Sequence, residues 1–304
     1  MTTELPKRVT YSLLLCRIIT ALTFAAWGYG MIVRPAINSV QLGKYYYIGG
    51  LPNSAIMGLG AIQIAISIAV LVGFQKKITT GILLLLAILT TFLPKFAAGY
   101  YIGTIGGEAH PVILFFAFFC LLGTAAMTFI MRDEDTLWSI GSSEGSTASS
   151  DTSYLSKIGL PLFLCRFGVF FVFLAWTWDK LFNARHAAGI FQRFYKMTFV
   201  TEGMVLAVGL AELALLLVVL LGFYKRISRG LMIIFSSVTT FSILTGVMKF
   251  FEPGNSNLDR RSGEFVEFFL LPTFAMLVCA IVIYALRKED TKFSFSKEDR
   301  ALNA

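Results

Sequence analysis

The sequence predicts an all-α membrane protein: eight transmembrane helices arranged as two parallel four-helix repeats. Of its 304 residues, 56% are hydrophobic and only 14% are charged, whereas a soluble domain has roughly 25% charged residues. Eight apolar stretches are long enough for the roughly 30 Å hydrocarbon core of a bilayer, and the two halves of the chain resemble each other. The composition excludes a disordered chain and a water-soluble globule.

The first apolar stretch is too long for a signal-peptide core and has no small-residue cleavage site, so we expect it to remain as a helix. The third is the shortest. Lys and Arg favour the side that holds both termini, by 14 to 9, and the positive-inside rule therefore predicts cytoplasmic termini in a bacterial or archaeal cytoplasmic membrane. The predicted spans are Tyr11–Val33, Ser54–Phe74, Ile78–Leu93, Pro111–Met131, Leu160–Phe182, Gly203–Phe223, Gly230–Met248 and Phe265–Leu286.

The net charge of +8 is compatible with nucleic acid or with an anionic membrane face. Because the chain is so hydrophobic, we expect the lipid bilayer as partner and no nucleic acid. Four cysteines without a C-x-x-C pair indicate neither a disulfide framework nor a metal site. The two histidines, His110 and His186, lie in different loops without a haem-attachment motif, so no haem is expected.

The second half repeats the first at an offset of 149 residues. LLLCR at 13–17 matches LFLCR at 162–166. After a length difference in the third loop, which changes the offset to 155, RDEDT at 132–136 matches RKEDT at 287–291. Because each half has an even number of spans, both halves enter and leave on the same side, which predicts parallel repeats. Other matched pairs are Trp27 with Trp176, Gln63 with Glu212, and Lys76 with Lys225.

The duplication sets the predicted domain limits. The first repeat covers 1–140 and the second covers 158–293. Between them, 141–157 is rich in Gly and Ser, a composition typical of a flexible linker. Residues 294–304 form a polar tail.

Ionisable residues inside spans are costly and are therefore candidate functional residues. Glu212 lies near the middle of its span, and Arg166 and Lys180 approach it from the two ends of the fifth span. We expect these three to form a buried network, with Glu212 contacting Arg166 or Lys180. Arg17 with Gln63 is the truncated counterpart in the first half. The alternative is an interhelical ion pair that only fixes packing.

Two segments, Ala36–Ile48 and Ala187–Val200, mix aromatic residues with isolated cations, which is typical of helices lying in the membrane interface. They could roof an outward-facing cavity with Trp27, Trp176 and Trp178 in its wall. The alternative is that the tryptophans only anchor the protein in the interface.

The order of polar, aromatic and glycine residues in each half resembles that of the DoxX and DoxD membrane proteins. In each half an Arg lies early in the first helix, a Trp near its end, a polar residue before Gly-Phe in the second helix, and Gly-Glu before the fourth. The resemblance implies a membrane component of a redox system, such as the small subunit of thiosulfate:quinone oxidoreductase. The family's Lys and Glu are Met31 and Gln63 in the first half but Lys180 and Glu212 in the second, which favours the second half as the active one.

Two functions remain open at this stage. The chain is either a quinone-interacting subunit, which anchors a partner that carries the redox cofactor, or a carrier for a small solute or lipid. Charged residues in the long loop at 250–269 suit docking of an extracytoplasmic partner. The first function depends on the family resemblance, and the second fits parallel repeats and midplane charges equally well.

Overall fold

The computed structural model describes residues 5–46, 48–98, 110–138, 153–194, 197–250, 271–292 and 294–295. Within these ranges every regular element is an α-helix. A backbone in lipid must satisfy its hydrogen bonds internally, as a helix does. The apolar segments of this chain are helical for that reason. The fold class predicted from the sequence is thus confirmed at the level of an all-α membrane protein.

Ten helices lie in the described part of the chain. Five of them are long and apolar enough to cross a membrane, namely α1, α3, α6, α8 and the Lys76–Leu93 part of α4. The helices are α1 (Lys7–Val33), α2 (Pro35–Tyr46), α3 (Asn53–Leu71), α4 (Lys76–Ala98), α5 (His110–Ile130), α6 (Ser153–Phe182), α7 (Ala184–Phe194), α8 (Glu202–Leu221), α9 (Lys225–Phe250) and α10 (Leu271–Ala285).

Some helix limits differ from the expected ones. Helix α1 starts at Lys7, ahead of the predicted Tyr11, because a helix continues beyond the hydrocarbon where the sequence allows it. Helix α6 starts at Ser153, so the last residues of the expected linker are helical. The short helices α2 and α7 fall on the two segments with interfacial composition, each directly after a long helix.

The helices of the two halves pack in the same order. In the first half α1 packs against α3, and α4 against α5; in the second, α6 packs against α8, and α9 against α10. Between the halves, α5 contacts α6, α1 contacts α10, and α5 contacts α10. The main hydrophobic core therefore draws residues from both halves, including Phe24, Leu121 and Phe173.

The turn between α3 and α4 has the same backbone conformation as the turn between α8 and α9. Gly73 and Gly222 have φ values of 70° and 75°, and the residues two positions later, Gln75 and Tyr224, have φ values of 47° and 46°. Glycine is favoured at the first position because a side chain there is strained at positive φ.

Helices α5 and α6 approach each other closely through two glycines. A Cβ atom at Gly168 would lie 2.8 Å from the Cys120 nitrogen, and one at Gly123 would lie 2.9 Å from the Cα of Cys165. At the matching positions of α1 and α10 the sequence has Ile19 and Val278. The two contacts between the halves are therefore unequal, with α5–α6 the closer one.

We expect Gly168→Ala to destabilise the protein by about 1–3 kcal/mol, the usual cost of overpacking a filled interior. The added methyl group meets backbone atoms of α5, which cannot rotate away. Gly58→Ala is the matched control, since a Cβ atom at Gly58 meets nothing within 4 Å. Thermal unfolding in detergent would measure both variants, and equal midpoints would contradict a tight contact.

Candidate functional sites

The first site is a buried ion cluster in the first half. Arg17 on α1 contacts the Asp135 carboxylate with an Nη1–Oδ2 distance of 3.1 Å and also donates to the carbonyl of Leu137. Lys76 at the start of α4 donates to the backbone carbonyl of Asp135. These three residues, Arg17, Lys76 and Asp135, form the first cluster. Burial raises the pKa of Asp135, and the charges of Arg17 and Lys76 oppose that effect.

The second half contains the same arrangement. Arg166 contacts the Asp290 carboxylate at 3.1 Å and donates to the carbonyl of Lys292, and Lys225 donates to the carbonyl of Asp290. Arg229 adds a further contact, 2.7 Å from the same carboxylate. Arg166, Lys225, Arg229 and Asp290 form the second cluster, and the side chains of its two arginines and of Asp290 are fully buried.

Two further ion pairs connect the halves reciprocally. Arg8 at the start of α1 contacts Glu289 at 2.6 Å, and Lys157 near the start of α6 contacts Glu134 at 2.7 Å. Lys157 is 149 residues after Arg8, and Glu134 and Glu289 hold the same place in the repeated RDEDT and RKEDT motifs. Each half therefore supplies the cation for the other half's carboxylate.

The second site is an ion pair at the opposite end of α6. The Lys180 ammonium lies 2.6 Å from the Glu212 carboxylate on α8, so the expected contact between these residues is present. Glu212 is only 6% exposed and Lys180 is 14% exposed. The pair is held between two packed helices, which leaves a protonatable carboxylate well below the protein surface.

A second polar pair lies at the same end of α6. His186 on α7 is hydrogen-bonded to Asp179 at 2.9 Å, and Asp179 precedes Lys180 in the chain. The His186 side chain is 45% exposed. A half-exposed imidazole thus lies at the same end of α6 as the Lys180–Glu212 pair.

Arg166 does not join this network, contrary to the sequence-based expectation. It is 14 residues from Lys180 on α6, which corresponds to about 21 Å along the helix. Its guanidinium contacts Asp290 and Lys292, which lie in the segment after α10. That segment folds back over the end of α6 and supplies the missing counter-charge there, so the charge at Arg166 is satisfied without Glu212.

The expected pairing of Arg17 with Gln63 is also wrong. Arg17 contacts Asp135, whereas the Gln63 amide donates to the carbonyl of Phe24 on α1 at 3.0 Å. Since Met31 replaces the cation at this end of the first half, a neutral amide and a backbone carbonyl take the place of the ion pair.

The three tryptophans of the predicted cavity wall do not share one environment. Trp27 is buried and packs edge-on against Phe24 and Phe118. Trp178 is 52% exposed and stacks on Phe182. Trp176 packs partly buried against the main core. Trp27 and Trp178 therefore face different environments.

The four cysteines are all buried and free. The Cys279 thiol on α10 donates to the carbonyl of Cys120 on α5 at 3.3 Å, so α5 and α10 meet at these residues. Among the described residues no group of His, Cys, Asp or Glu is arranged to hold a metal ion. The side chain of His110 and the loop at 251–270 lie outside the described residues.

A cleft lies beside the first cluster. It has about 200 Å³ of empty space including its open mouth, and its enclosed part has room for about one water molecule. Arg17, Lys76 and Asp135 line it together with Thr79, Thr80 and Thr128 on α4 and α5. Val70, Gly73 and Arg132 complete the lining.

Sequence reasoning missed the two aspartates at the centres of the clusters. Asp135 and Asp290 stand just after predicted spans and look like ordinary loop residues. The available signal was the repeat of RDEDT and RKEDT. Each half has one aspartate and one arginine at equivalent positions, Asp135 with Arg17 and Asp290 with Arg166, and this repetition suggests that they are partners.

No family model, curated protein or solved structure matches this chain.

Proposed function

We propose that the chain forms eight transmembrane helices as two parallel four-helix repeats in a bacterial or archaeal cytoplasmic membrane, with both termini in the cytoplasm. The paired clusters, the paired turns and the reciprocal ion pairs support this proposal, since duplicated units that face the same way give matched contacts at one end. An experimental structure with antiparallel halves would contradict it.

Within this architecture we propose a membrane subunit of a redox system that interacts with quinone and anchors a partner carrying the redox cofactor. The supporting observation is the Lys180–Glu212 ion pair, which joins the apolar helices α6 and α8 with an Nζ–Oε2 distance of 2.6 Å. The Asp179–His186 pair, with its half-exposed imidazole, lies at the same end of α6. The resemblance to DoxX and DoxD proteins favours redox chemistry as the role of the buried carboxylate.

The proposed chemistry divides between the two proteins. Reducing a quinone to a quinol consumes two electrons and two protons, and the partner's cofactor supplies the electrons. Glu212 donates a proton near the quinone oxygen, and Lys180 holds the resulting carboxylate by charge and hydrogen bonding. Protons return to Glu212 from the outer end of α6, where Asp179 and the half-exposed His186 lie. The first half, with Met31 and Gln63, supports the structure without titrating.

The alternative is a carrier for a small solute or lipid. Parallel repeats and a charged pair within the membrane also occur in carriers. In that function Glu212 binds a coupling proton or a cationic solute, and no partner protein is needed.

Purification in a mild detergent, followed by mass spectrometry of bound lipids, quinones and proteins, tests the redox proposal. We expect a quinone to copurify with the wild-type chain, together with a subunit that carries a redox cofactor. Extraction of an unrelated membrane protein from the same cells is the control for quinone carried over in detergent. A chain that binds neither and moves a solute across vesicle membranes would instead support the carrier.

A further inference from the structure

The cleft beside the first cluster has an excess of positive charge. Three cationic residues line it, Arg17, Lys76 and Arg132, against the carboxylate of Asp135. That carboxylate is 3.1 Å from the Arg17 guanidinium, so the charges of these two residues largely cancel. The charges of Lys76 and Arg132 remain. A cleft lined by charge of one sign attracts ligands of the opposite sign, so an anion is the ligand that fits this lining.

Both remaining cations can donate hydrogen bonds to an anion. Within the described part of the chain the Lys76 ammonium donates to the backbone carbonyl of Asp135 alone, which leaves its other N–H groups for a ligand. The Arg132 guanidinium donates one N–H group to the carbonyl of Phe129. Asp133 lies 3.8 Å from the same guanidinium, but its carboxylate is exposed, and an exposed pair of this kind is weak.

The cleft is a difference between the two halves. Arg229 in the second half corresponds to Thr80 in the first, at the same offset of 149. The Arg229 guanidinium contacts the Asp290 carboxylate at 2.7 Å and donates to the carbonyl of Ile283 at 2.9 Å. Thr80 lines the cleft, and a threonine is too short to take the place of the guanidinium. The first half therefore has open space where the second has a side chain.

The cleft lies at the ends of helices that are long enough to cross a membrane. Its lining comes from the C-terminal end of α3, the first turn of α4 and the last turn of α5, and the ends of spanning helices reach the lipid headgroups. An apolar stripe of exposed side chains begins beside the cleft and continues along α4. It consists of Ile78, Ile82, Leu85, Leu89 and Phe92. Acyl chains can pack along this stripe while a headgroup lies in the cleft.

We propose that this cleft binds the phosphate group of an anionic lipid. Lys76 and Arg132 hold the phosphate oxygens by charge-assisted hydrogen bonds, and the buried Arg17 adds its charge from the inner side. The enclosed part of the cleft has room for about one water molecule, which is enough for one phosphate oxygen, and the rest of the headgroup lies in the open mouth. The site is separate from the Lys180–Glu212 pair and does not depend on quinone chemistry.

Native mass spectrometry of the purified full-length chain tests the proposal with phosphatidylglycerol as the anionic probe. Phosphatidylcholine is the control lipid, because its phosphate carries an attached cation. We expect phosphatidylglycerol to bind saturably and to raise the unfolding midpoint, as a ligand of the folded state does, and phosphatidylcholine to bind more weakly. Equal binding of the two lipids would overturn the proposal.

Two matched variants locate the site. Arg287 holds the place of Arg132 in the repeated motif. Its guanidinium lies 4.8 Å from the Tyr284 ring centre and donates to the Tyr284 carbonyl, as Arg132 does at 4.9 Å with Phe129. Arg132→Gln and Arg287→Gln therefore remove the same charge and the same local contacts. We expect about a tenfold higher Kd for phosphatidylglycerol in Arg132→Gln, the usual effect of one lost hydrogen bond to a charged group, and a Kd close to wild type in Arg287→Gln.

Equal Kd values in the two variants would indicate a general attraction of anionic lipid and would overturn the assignment to the cleft. Arg132 is partly exposed, so we expect Arg132→Gln to fold, and its unfolding midpoint without added lipid checks this. Lipid binding is measured without turnover, so the result is independent of the redox proposal.

Sodium phosphate and sodium chloride at equal ionic strength distinguish the sources of the anion. Displacement of phosphatidylglycerol by phosphate, with less displacement by chloride, would support a phosphate site. Stabilisation by inorganic phosphate without a preference for phosphatidylglycerol would overturn the lipid as the occupant. Equal displacement by both salts would overturn the phosphate assignment.

Discussion

Asp290→Asn is expected to lower the free energy of unfolding by about 3–5 kcal/mol, the usual effect of breaking a buried ion pair by removing one partner. The Asp290 carboxylate contacts two guanidinium groups, those of Arg166 and Arg229, and the side chains of all three residues are fully buried. Asparagine retains one acceptor oxygen but leaves two positive charges without a counter-ion in the interior.

Two matched substitutions make this prediction specific. Asp135→Asn removes the counterpart in the first cluster, where one guanidinium rather than two contacts the carboxylate, so we expect a smaller loss of stability. Asp133→Asn is the surface control, because Asp133 is exposed and its carboxylate makes a long contact of 3.8 Å with Arg132. Such pairs contribute about 0–1 kcal/mol.

Thermal unfolding in detergent and the yield of monodisperse protein measure all three variants. The expected order of loss is Asp290→Asn, then Asp135→Asn, then Asp133→Asn. If Asp290→Asn is as stable as the surface control, the second cluster does not stabilise the fold.

Under the proposed redox function, Glu212→Gln is expected to remove most of the turnover while leaving the protein folded. An amide cannot ionise, and general acid–base catalysis typically contributes 10²–10⁴-fold to a rate, so we expect at least a hundredfold loss. The fold is retained because Gln63 occupies the corresponding position in the first half and donates to a backbone carbonyl.

A double variant separates the role of the charge from that of the packing. Lys180→Met with Glu212→Gln reproduces Met31 and Gln63 and removes the unpaired ammonium that Glu212→Gln leaves behind. We expect wild-type stability and no turnover. Glu202→Gln is the control carboxylate on the same helix, since Glu202 pairs with Arg185 at the exposed surface, and its turnover is expected to remain normal.

The measurements are quinol formation with the copurified partner and the unfolding midpoint of each variant. Full turnover in Glu212→Gln would show that the Lys180–Glu212 pair is only an interhelical support, which is the alternative considered from the sequence. Loss of both turnover and folding in the double variant would contradict the equivalence of the two halves at this position.

The membrane explains which features were predictable from the sequence. Bilayer thickness fixes the length of an apolar helix, so the long helices are found near their predicted positions. Depth in the membrane also predicted the contact between Lys180 and Glu212, because the two residues lie on neighbouring helices and the lysine side chain can extend to the depth of the carboxylate.

Depth in the membrane does not predict an ion pair when a loop supplies one of the partners. The pairing of Arg166 with Glu212 assumes that a buried cation finds its counter-ion within the spans. The chain after α10 instead folds back and brings Asp290 to the guanidinium. Such a return depends on tertiary packing, which hydropathy does not record. The different environments of Trp27 and Trp178 were not predictable for a similar reason, since composition does not distinguish a core ring from a surface ring.

The reciprocal ion pairs, Arg8 with Glu289 and Lys157 with Glu134, have the geometry of an isologous contact between identical subunits, in which residue i touches j and j touches i. Within one polypeptide, each half can differ from the other at any position. The arginine at 229 and the threonine at 80, like the ion pair of the second half and the amide of the first, are differences that a homodimer of one gene product cannot hold. A single chain with two such halves can therefore hold different chemistry at equivalent positions.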